Sequence, residues 1–120
     1  MSTMTQRRPH WVYDAGQEPD PRFSLANERT FLAWVRTALA ILAGGVALQA
    51  LGLPDTDWVR DGLAVALVLL GGLVTVLAMV RWARIERAIR TRTPLPAFNL
   101  GILLTGAVLV GAVLLAFAFA

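Results

Sequence analysis

The sequence contains no cysteine and no lysine, and it has a single histidine, His10. Without cysteine the chain can form neither a disulfide bond nor a thiolate metal site. Its long apolar blocks also contain no Asp or Glu. A catalytic site requires a nucleophile, a tuned acid or base, or a metal. We therefore predict that the protein is not an enzyme and that it holds no metal and no cofactor.

Apolar residues are in excess, at 57% of the chain, whereas soluble domains contain about 45–50%. The excess is concentrated in three blocks, each close to the roughly 20 residues that a helix needs to cross a bilayer core. Three such blocks disfavour a buried soluble core. We predict an all-α membrane protein with three transmembrane helices. The spans cover about residues 31–53, 62–82 and 98–120, within one membrane domain formed by residues 22–120.

The segment before the first span, residues 1–21, is rich in proline, glycine and charged side chains. Such a composition is typical of disorder, so we predict a disordered tail. A cleavable signal peptide would place a short apolar stretch near residue ten, followed by a small-residue cleavage site. The first apolar block starts later, at residue 31, and is long enough to remain as a span.

The distribution of charge predicts the orientation. All eleven basic residues are arginine; four precede the first span and five follow the second. The loop between these spans holds Arg60 against Asp55, Asp57 and Asp61. Because positive residues mark the cytoplasmic side, we expect a cytoplasmic N-terminus and an extracytoplasmic C-terminus. The arginines lack the aromatic or glycine pattern of RNA-binding modules, so no nucleic-acid partner is predicted.

One arginine, Arg36, lies inside the first apolar block. At about 100° per residue, one helix face carries this arginine, a second one and four small residues. These are Arg29, Ala33, Arg36, Ala40, Gly44 and Ala47. Small residues let helices approach closely in lipid, so we expect this face to contact protein. Two alternatives stay open: a guanidinium that snorkels to the interface and sets topology, and a salt bridge between helices.

Glu28 is the nearest acidic residue to this face. It follows Asn27 and precedes Arg29, and successive residues on a helix point about 100° apart. Pairing with Arg29 on the same helix is therefore unfavourable. We expect a partner on the second helix instead, either Arg81 or Arg84.

Helix ends supply further expectations. Ser24 is predicted to cap a helix that starts near Leu25. Residues 22–30 then either lie at the membrane surface, as an interfacial start to the first helix, or continue the span; the sequence allows both. Near the end of the second span, Glu86 and Arg90 have the i,i+4 spacing of a helical ion pair.

The run from Arg22 to Leu39, RFSLANERTFLAWVRTAL, together with three spans, resembles the YidH-type small bacterial inner-membrane proteins. The core ANERTFLAW is specific, and the resemblance covers about residues 20–120. This domain of unknown function also resembles the membrane part of the eukaryotic vacuolar transporter chaperone complex. The resemblance implies a multi-pass protein of the bacterial inner membrane.

In the eukaryotic complex, similar three-span domains assemble around a pore that carries polyphosphate, and basic residues of the first two spans line it. The resemblance places Arg22, Glu28 and Arg29 at the matching positions of the first span. It places Arg81 more loosely at the inner end of the second span. Arg36 lies in a stretch shared more closely with the bacterial proteins.

Two functions follow as predictions. The first is an oligomeric or accessory module whose basic cytoplasmic face binds anions, anionic lipid or a partner. The alternative is a subunit of an anion-conducting channel, in which rings of arginine select anions; three helices alone cannot enclose a water path. The expected partners are the bilayer, further copies or other membrane proteins, and an anionic lipid or polyanion. The candidate binding residues are Arg22, Glu28, Arg29, Arg36, Arg81 and Arg84.

Overall fold

A computed structural model describes residues 7–95 and 99–119 of the chain. Within these residues all regular structure is helical. The four helices are α1 (His10–Tyr13), α2 (Pro21–Leu51), α3 (Asp57–Thr91) and α4 (Asn99–Phe119). In the described part of the chain, α2, α3 and α4 are long and apolar enough to cross a membrane. The prediction of an all-α protein with three membrane-spanning helices is confirmed.

The core of the molecule is the antiparallel pair of α2 and α3. Their backbones approach closely at two glycines. A Cβ atom on Gly71 would lie 2.8 Å from Cγ of Leu42 and 3.1 Å from the carbonyl oxygen of Ala38. A Cβ on Gly45 would lie 3.1 Å from the carbonyl oxygen of Ala64. Since small residues permit such an approach in lipid, these positions fix how the two helices pack.

Both helices of this pair extend beyond their apolar blocks. With 31 residues, α2 is about 46 Å long, whereas the hydrocarbon core of a bilayer is about 30 Å thick. The Asp20 side chain caps the helix by accepting a hydrogen bond from the backbone N–H of Arg22 at 2.9 Å, and Pro21 occupies the first position. The prediction that Ser24 is the cap is wrong. Residues 22–30 continue the first helix rather than forming a separate surface segment.

The third long helix, α4, packs lightly against α3. Its amino-terminal turn is the packed part, where Leu100 and Gly101 are buried. Farther along, large apolar side chains such as Leu109 and Phe117 are exposed. Such a surface suits contact with acyl chains, because lipid imposes no penalty on exposed apolar groups.

Residues 7–20 lie against the end of α3, and we call them the N-terminal strap. Val12 of α1 is fully buried, and the backbone N–H of Gln17 donates to the carbonyl oxygen of Arg90 at 3.1 Å. Gly16 has a positive φ of 56°, and a Cβ there would overlap that same carbonyl. The predicted disordered tail therefore differs from the structure over these residues, since specific packing orders them. Residues 1–6 lie outside the described part.

Candidate functional site

The candidate residues gather at one end of the molecule, which we call the basic end: the start of α2, the end of α3, the start of α4 and the strap. Inside it lies a buried polar cluster. The Ser24 hydroxyl donates to Glu86 at 2.5 Å, and the Asn27 side-chain amide donates to Glu86 at 3.2 Å. The same amide donates to the carbonyl oxygen of Trp82 at 3.1 Å. The cluster thus joins α2 to α3 across their interface.

This cluster was not predicted from the sequence. Asn27 and Glu86 are only 5% and 3% exposed. Among the described residues no basic side chain forms an ion pair with Glu86, so the expected pair with Arg90 is wrong. One signal pointed to burial: Glu86 continues the α3 face that carries Gly71 and Ala78, at spacings of seven and eight residues.

The amide of Asn27 has one defined orientation. Both of its neighbours, the Glu86 carboxylate and the Trp82 carbonyl, are acceptors, so the nitrogen must face them. Its oxygen Oδ1 is consequently buried without a hydrogen-bond partner among the residues that the structure describes. Burying the Glu86 carboxylate in a helix interface with two neutral donors costs free energy, because neither donor cancels its charge.

Arg90 holds the strap to α3. Its guanidinium is buried and donates to the carbonyl oxygens of Tyr13 at 2.8 Å and Ala15 at 3.0 Å. It also forms an ion pair with Glu18 at 3.2 Å. Arg7 bonds the same carboxylate, and this hydrogen bond is the main reason why the pKa of Glu18 lies below its usual value of 4.5. Partial burial opposes that shift, and Arg90 adds to it.

Arg29 and Arg36 lie on the side of α2 that faces away from α3. Asn27 and Ala38, on the opposite side of the helix, are buried against α3. We define the arginine face of α2 as Arg29, Ala33, Arg36, Ala40 and Ala47, all of them exposed. No other helix among the described residues covers this face, so the protein contact expected there would require a second molecule.

Arg22, seven residues before Arg29, lies on the same side of α2 as the arginine face, and Glu28 lies beside that face. The Arg22 side chain is 85% exposed and pairs with Asp20 at 2.8 Å. Glu28 is exposed and lines an apolar groove of about 290 Å³ between α2 and α3, next to Met79 and Trp82. It forms no ion pair within the described residues, so the expected pairing with an α3 arginine is wrong.

Arg81 and Arg84 face a different neighbour. They line a cleft of about 290 Å³ between α3 and the start of α4, together with Asn99. In the part of the chain that the structure describes, neither arginine forms an ion pair. The six candidates therefore form two separate groups, one on α2 and one in the α3–α4 cleft. Whether either group binds an anion stays a prediction.

The described residues contain no cluster of three or more histidine, cysteine, aspartate or glutamate side chains that could hold a metal ion. The polar groups described at the basic end include guanidiniums, hydroxyls, an amide, the buried Glu86 carboxylate and the exposed carboxylates of Glu18, Asp20 and Glu28. Chemically this set suits the binding of anions through charge-assisted hydrogen bonds.

Comparison with known proteins relates the chain to a family. A model of a domain of unknown function, DUF202, matches residues 22–88. The match includes the buried cluster and all six candidate residues; the strap, Arg90 and α4 lie outside it. No solved structure matches the chain significantly.

Two relatives cover most of the chain. Inner membrane protein YidH of Escherichia coli K12 is 51% identical over 86 residues, covering 70% of this chain and 74% of the relative. The uncharacterized protein Rv2272 of Mycobacterium tuberculosis H37Rv is 47% identical over 102 residues, which cover 82% of this chain and 83% of the relative. With three helices able to cross a membrane, the protein is a multi-pass protein of the bacterial inner membrane. It belongs to the DUF202 family of YidH-like membrane proteins, whose domain has no established function.

Proposed function

We propose that the protein is a non-catalytic membrane module that assembles with further copies through the arginine face of α2 and binds anions at its basic end. One observation carries the proposal. Arg29 and Arg36 are exposed on a helix side that α3 and α4 leave uncovered, and neither forms an ion pair within the described residues. An uncompensated guanidinium in this position calls for a partner outside the chain.

The depth of Arg36 supports this proposal. It lies about 7–8 Å of helix rise beyond Phe31, the first apolar residue of the block. An arginine at a bilayer centre costs about 2.5–3.5 kcal/mol on insertion scales, and snorkelling reduces that cost nearer the interface. Ala40 and Ala47 continue the face, and such small residues let a second helix approach closely. A neighbouring copy would shield the guanidinium from acyl chains and bring its own polar groups.

The proposal includes an orientation with the basic end in the cytoplasm and the C-terminus outside. Its support is the asymmetry of charge: the basic end carries most arginines, whereas the α2–α3 loop carries Asp55 and the first turns of α3 carry Asp57 and Asp61. Because the chain has no cysteine, a single introduced thiol reports its side of the membrane. Asp55→Cys should react with an impermeant maleimide in intact cells, and Arg8→Cys should not.

Assembly is tested by the mass of the protein extracted in lipid nanodiscs or gentle detergent. The natural sequence should have a mass of several chains. Ala40→Trp, on the arginine face, should shift it toward one chain by blocking close approach. Ala112→Trp, on the exposed side of α4, adds the same bulk elsewhere and should leave the mass unchanged. A monomeric natural protein, or equal effects of both substitutions, would contradict assembly through α2.

A second candidate function is anion conduction, in which a ring of copies turns the arginine face toward a common axis. The exposure of Arg29 and Arg36 favours this arrangement, since rings of arginine select anions. Beyond Arg36 the face carries only small apolar residues, which suit a hydrophobic gate. Phosphate and chloride flux into proteoliposomes tests it: Arg36→Gln should lower the flux. Absent flux with the natural sequence would exclude conduction while leaving assembly intact.

A further inference from the structure

The structure leaves a long groove open between α3 and α4. Its first part is the cleft at the basic end, about 290 Å³, lined by Leu77, Val80, Arg81, Arg84, Asn99, Leu100 and Leu103. Its second part is an apolar space of about 510 Å³ between the same helices, which includes Leu70, Gly106, Val110 and Leu114. Leu103 lines both parts, so the two spaces adjoin.

The groove has one charged end and an apolar length. On α3, Leu63, Leu70, Leu77 and Arg84 are spaced by seven residues, which places them along one side of the helix. The guanidiniums of Arg81 and Arg84, which form no ion pair with any residue in 7–95 or 99–119, therefore lie at one end of an apolar groove. The amino-terminal turn of α4, with the positive end of its helix dipole, faces the same cleft at Asn99.

The groove is longer than the acyl chain of one leaflet. From Asn99 to Leu114 the helix rises roughly 22 Å, whereas half of a bilayer core of about 30 Å is roughly 15 Å. An acyl chain that starts at the cleft therefore fits within the groove and would end near the middle of the membrane. The phosphate at its head would then lie beside Arg81 and Arg84, at the level where headgroups occur.

We propose that the α3–α4 groove binds one phospholipid with an anionic headgroup, whose phosphate contacts Arg81 and Arg84 and whose acyl chain occupies the apolar part. Charge complementarity selects this occupant, since basic clefts between membrane helices bind anionic headgroups. A free anion would leave the apolar part unfilled.

The inference deepens the proposed function by naming an anionic ligand, but it uses arginines other than those of the arginine face. It is tested on the full chain in detergent by native mass spectrometry, with titration of phosphatidylglycerol, phosphatidylcholine and soluble glycerol phosphate. The natural protein should retain one phosphatidylglycerol with at least roughly tenfold higher affinity than phosphatidylcholine, since each arginine near a membrane surface contributes appreciably. Glycerol phosphate should bind far more weakly than the lipid.

Three double substitutions test which arginines contact the headgroup. Arg81→Gln with Arg84→Gln should lower the affinity for phosphatidylglycerol roughly tenfold, and Arg81→Lys with Arg84→Lys should retain most of it. Arg8→Gln with Arg92→Gln removes the same charge from exposed positions outside the groove and should leave the affinity unchanged. Equal losses for the two Gln pairs, or equal binding of the two lipids, would overturn the proposed site.

Another pair tests the apolar part without touching a charge. A Cβ on Gly106 or on Gly72 meets nothing within 4 Å, so Gly106→Phe and Gly72→Phe should both fold, as circular dichroism would verify. Gly106 lines the groove and Gly72 does not. Gly106→Phe should lower phosphatidylglycerol affinity severalfold, with Gly72→Phe as the unaffected control. If Gly106→Phe instead changes only the number of chains in the complex, a second copy occupies the groove and the lipid proposal is wrong.

The outcomes distinguish this inference from the proposed function. Loss of assembly in Ala40→Trp with intact lipid binding would support both. A monomeric natural protein that still retains phosphatidylglycerol through Arg81 and Arg84 would contradict assembly through α2 and leave the lipid site standing. Tight binding of glycerol phosphate, equal to that of the lipid, would overturn the lipid site and leave anion binding at the basic end.

Discussion

The side-chain amide of Asn27 donates a hydrogen bond to the carboxylate of Glu86 over 3.2 Å, in the interior between α2 and α3. Removing one member of such a pair leaves a buried polar group unsatisfied, at a cost of about 1–3 kcal/mol. We predict that Asn27→Ala lowers the free energy of unfolding by about that amount. Helix content followed during SDS titration of mixed micelles measures it.

The matched control is Thr30→Ala, one helical turn away on α2. The Thr30 side chain is exposed, and its hydroxyl bonds only the backbone carbonyl of Ala26. Its removal should change the free energy of unfolding by less than about 0.5 kcal/mol. Equal effects of the two substitutions would show that the Glu86 cluster contributes nothing to the pairing of the helices.

Two adjacent glycines of α3 should respond differently to the same substitution. Gly71→Ala places a Cβ 2.8 Å from Leu42, in the α2–α3 interface, and should destabilise the protein by about 1–3 kcal/mol. Gly72→Ala meets no neighbouring atom within 4 Å. It should leave stability unchanged or raise it by up to about 1 kcal/mol through helix propensity. The same SDS titration compares them, and a tolerated Gly71→Ala would mean that the helices pack elsewhere.

How far the sequence predicts the fold can be judged from the helix ends. Apolar blocks predicted the number of spans, since a membrane-crossing helix consists mainly of apolar residues. They placed the start of the first span at residue 31, whereas α2 begins at Pro21. The part of a helix that extends beyond the membrane is exposed to water and carries polar side chains. Hydropathy therefore marks where the helix leaves the membrane but not where the helix begins. The helix start is instead set by the Asp20 cap and by Pro21 at the first position, whereas the prediction named Ser24.

The candidate site was predicted less well. The periodicity of α2 correctly grouped Arg29 with Arg36, because residues on one helix keep fixed angular relations. Contacts between helices have no such regularity. Glu86 meets Ser24, 62 residues away, and Arg90 meets Tyr13, 77 residues away. Their pairing depends on the register of α2 against α3 and on the path of the strap, and one sequence contains no signal for either.

The strap should depend on the geometry of the Arg90 guanidinium. Lysine keeps the charge but cannot reach two carbonyl oxygens and a carboxylate with one ammonium group. We predict that Arg90→Lys raises the mobility of a spin label at Gln17→Cys, measured by electron paramagnetic resonance. Arg92→Lys, at an exposed position two residues on, is the control and should have no effect. An unchanged spectrum in Arg90→Lys would contradict the clamp.

Acid should release the strap through Glu18. Its pKa lies below 4.5 in the folded protein, chiefly because Arg7 donates to it and also because Arg90 does. A carboxyl with a lowered folded-state pKa stabilises the fold above its ordinary value, and this contribution is lost as the pH falls through the folded value. The same spin label should therefore stay immobile from neutral pH down to about 4.5 and gain mobility below it.

Glu18→Gln removes the titrating group and provides the comparison. Its spectrum should show a more mobile strap at neutral pH and little further change in acid. An acid transition of the natural sequence that persists unaltered in Glu18→Gln would contradict the role of Glu18 and assign the acid sensitivity to another group.

The most direct test of the central claim asks what covers the arginine face of α2 in the native membrane. Benzoylphenylalanine at position 40, beside Arg36 on that face, should on irradiation yield a cross-linked product of two identical chains. The same group at position 112, on the exposed side of α4, should yield no such product. If position 40 yields only lipid adducts, as position 112 would, acyl chains cover the arginine face and assembly through α2 is wrong.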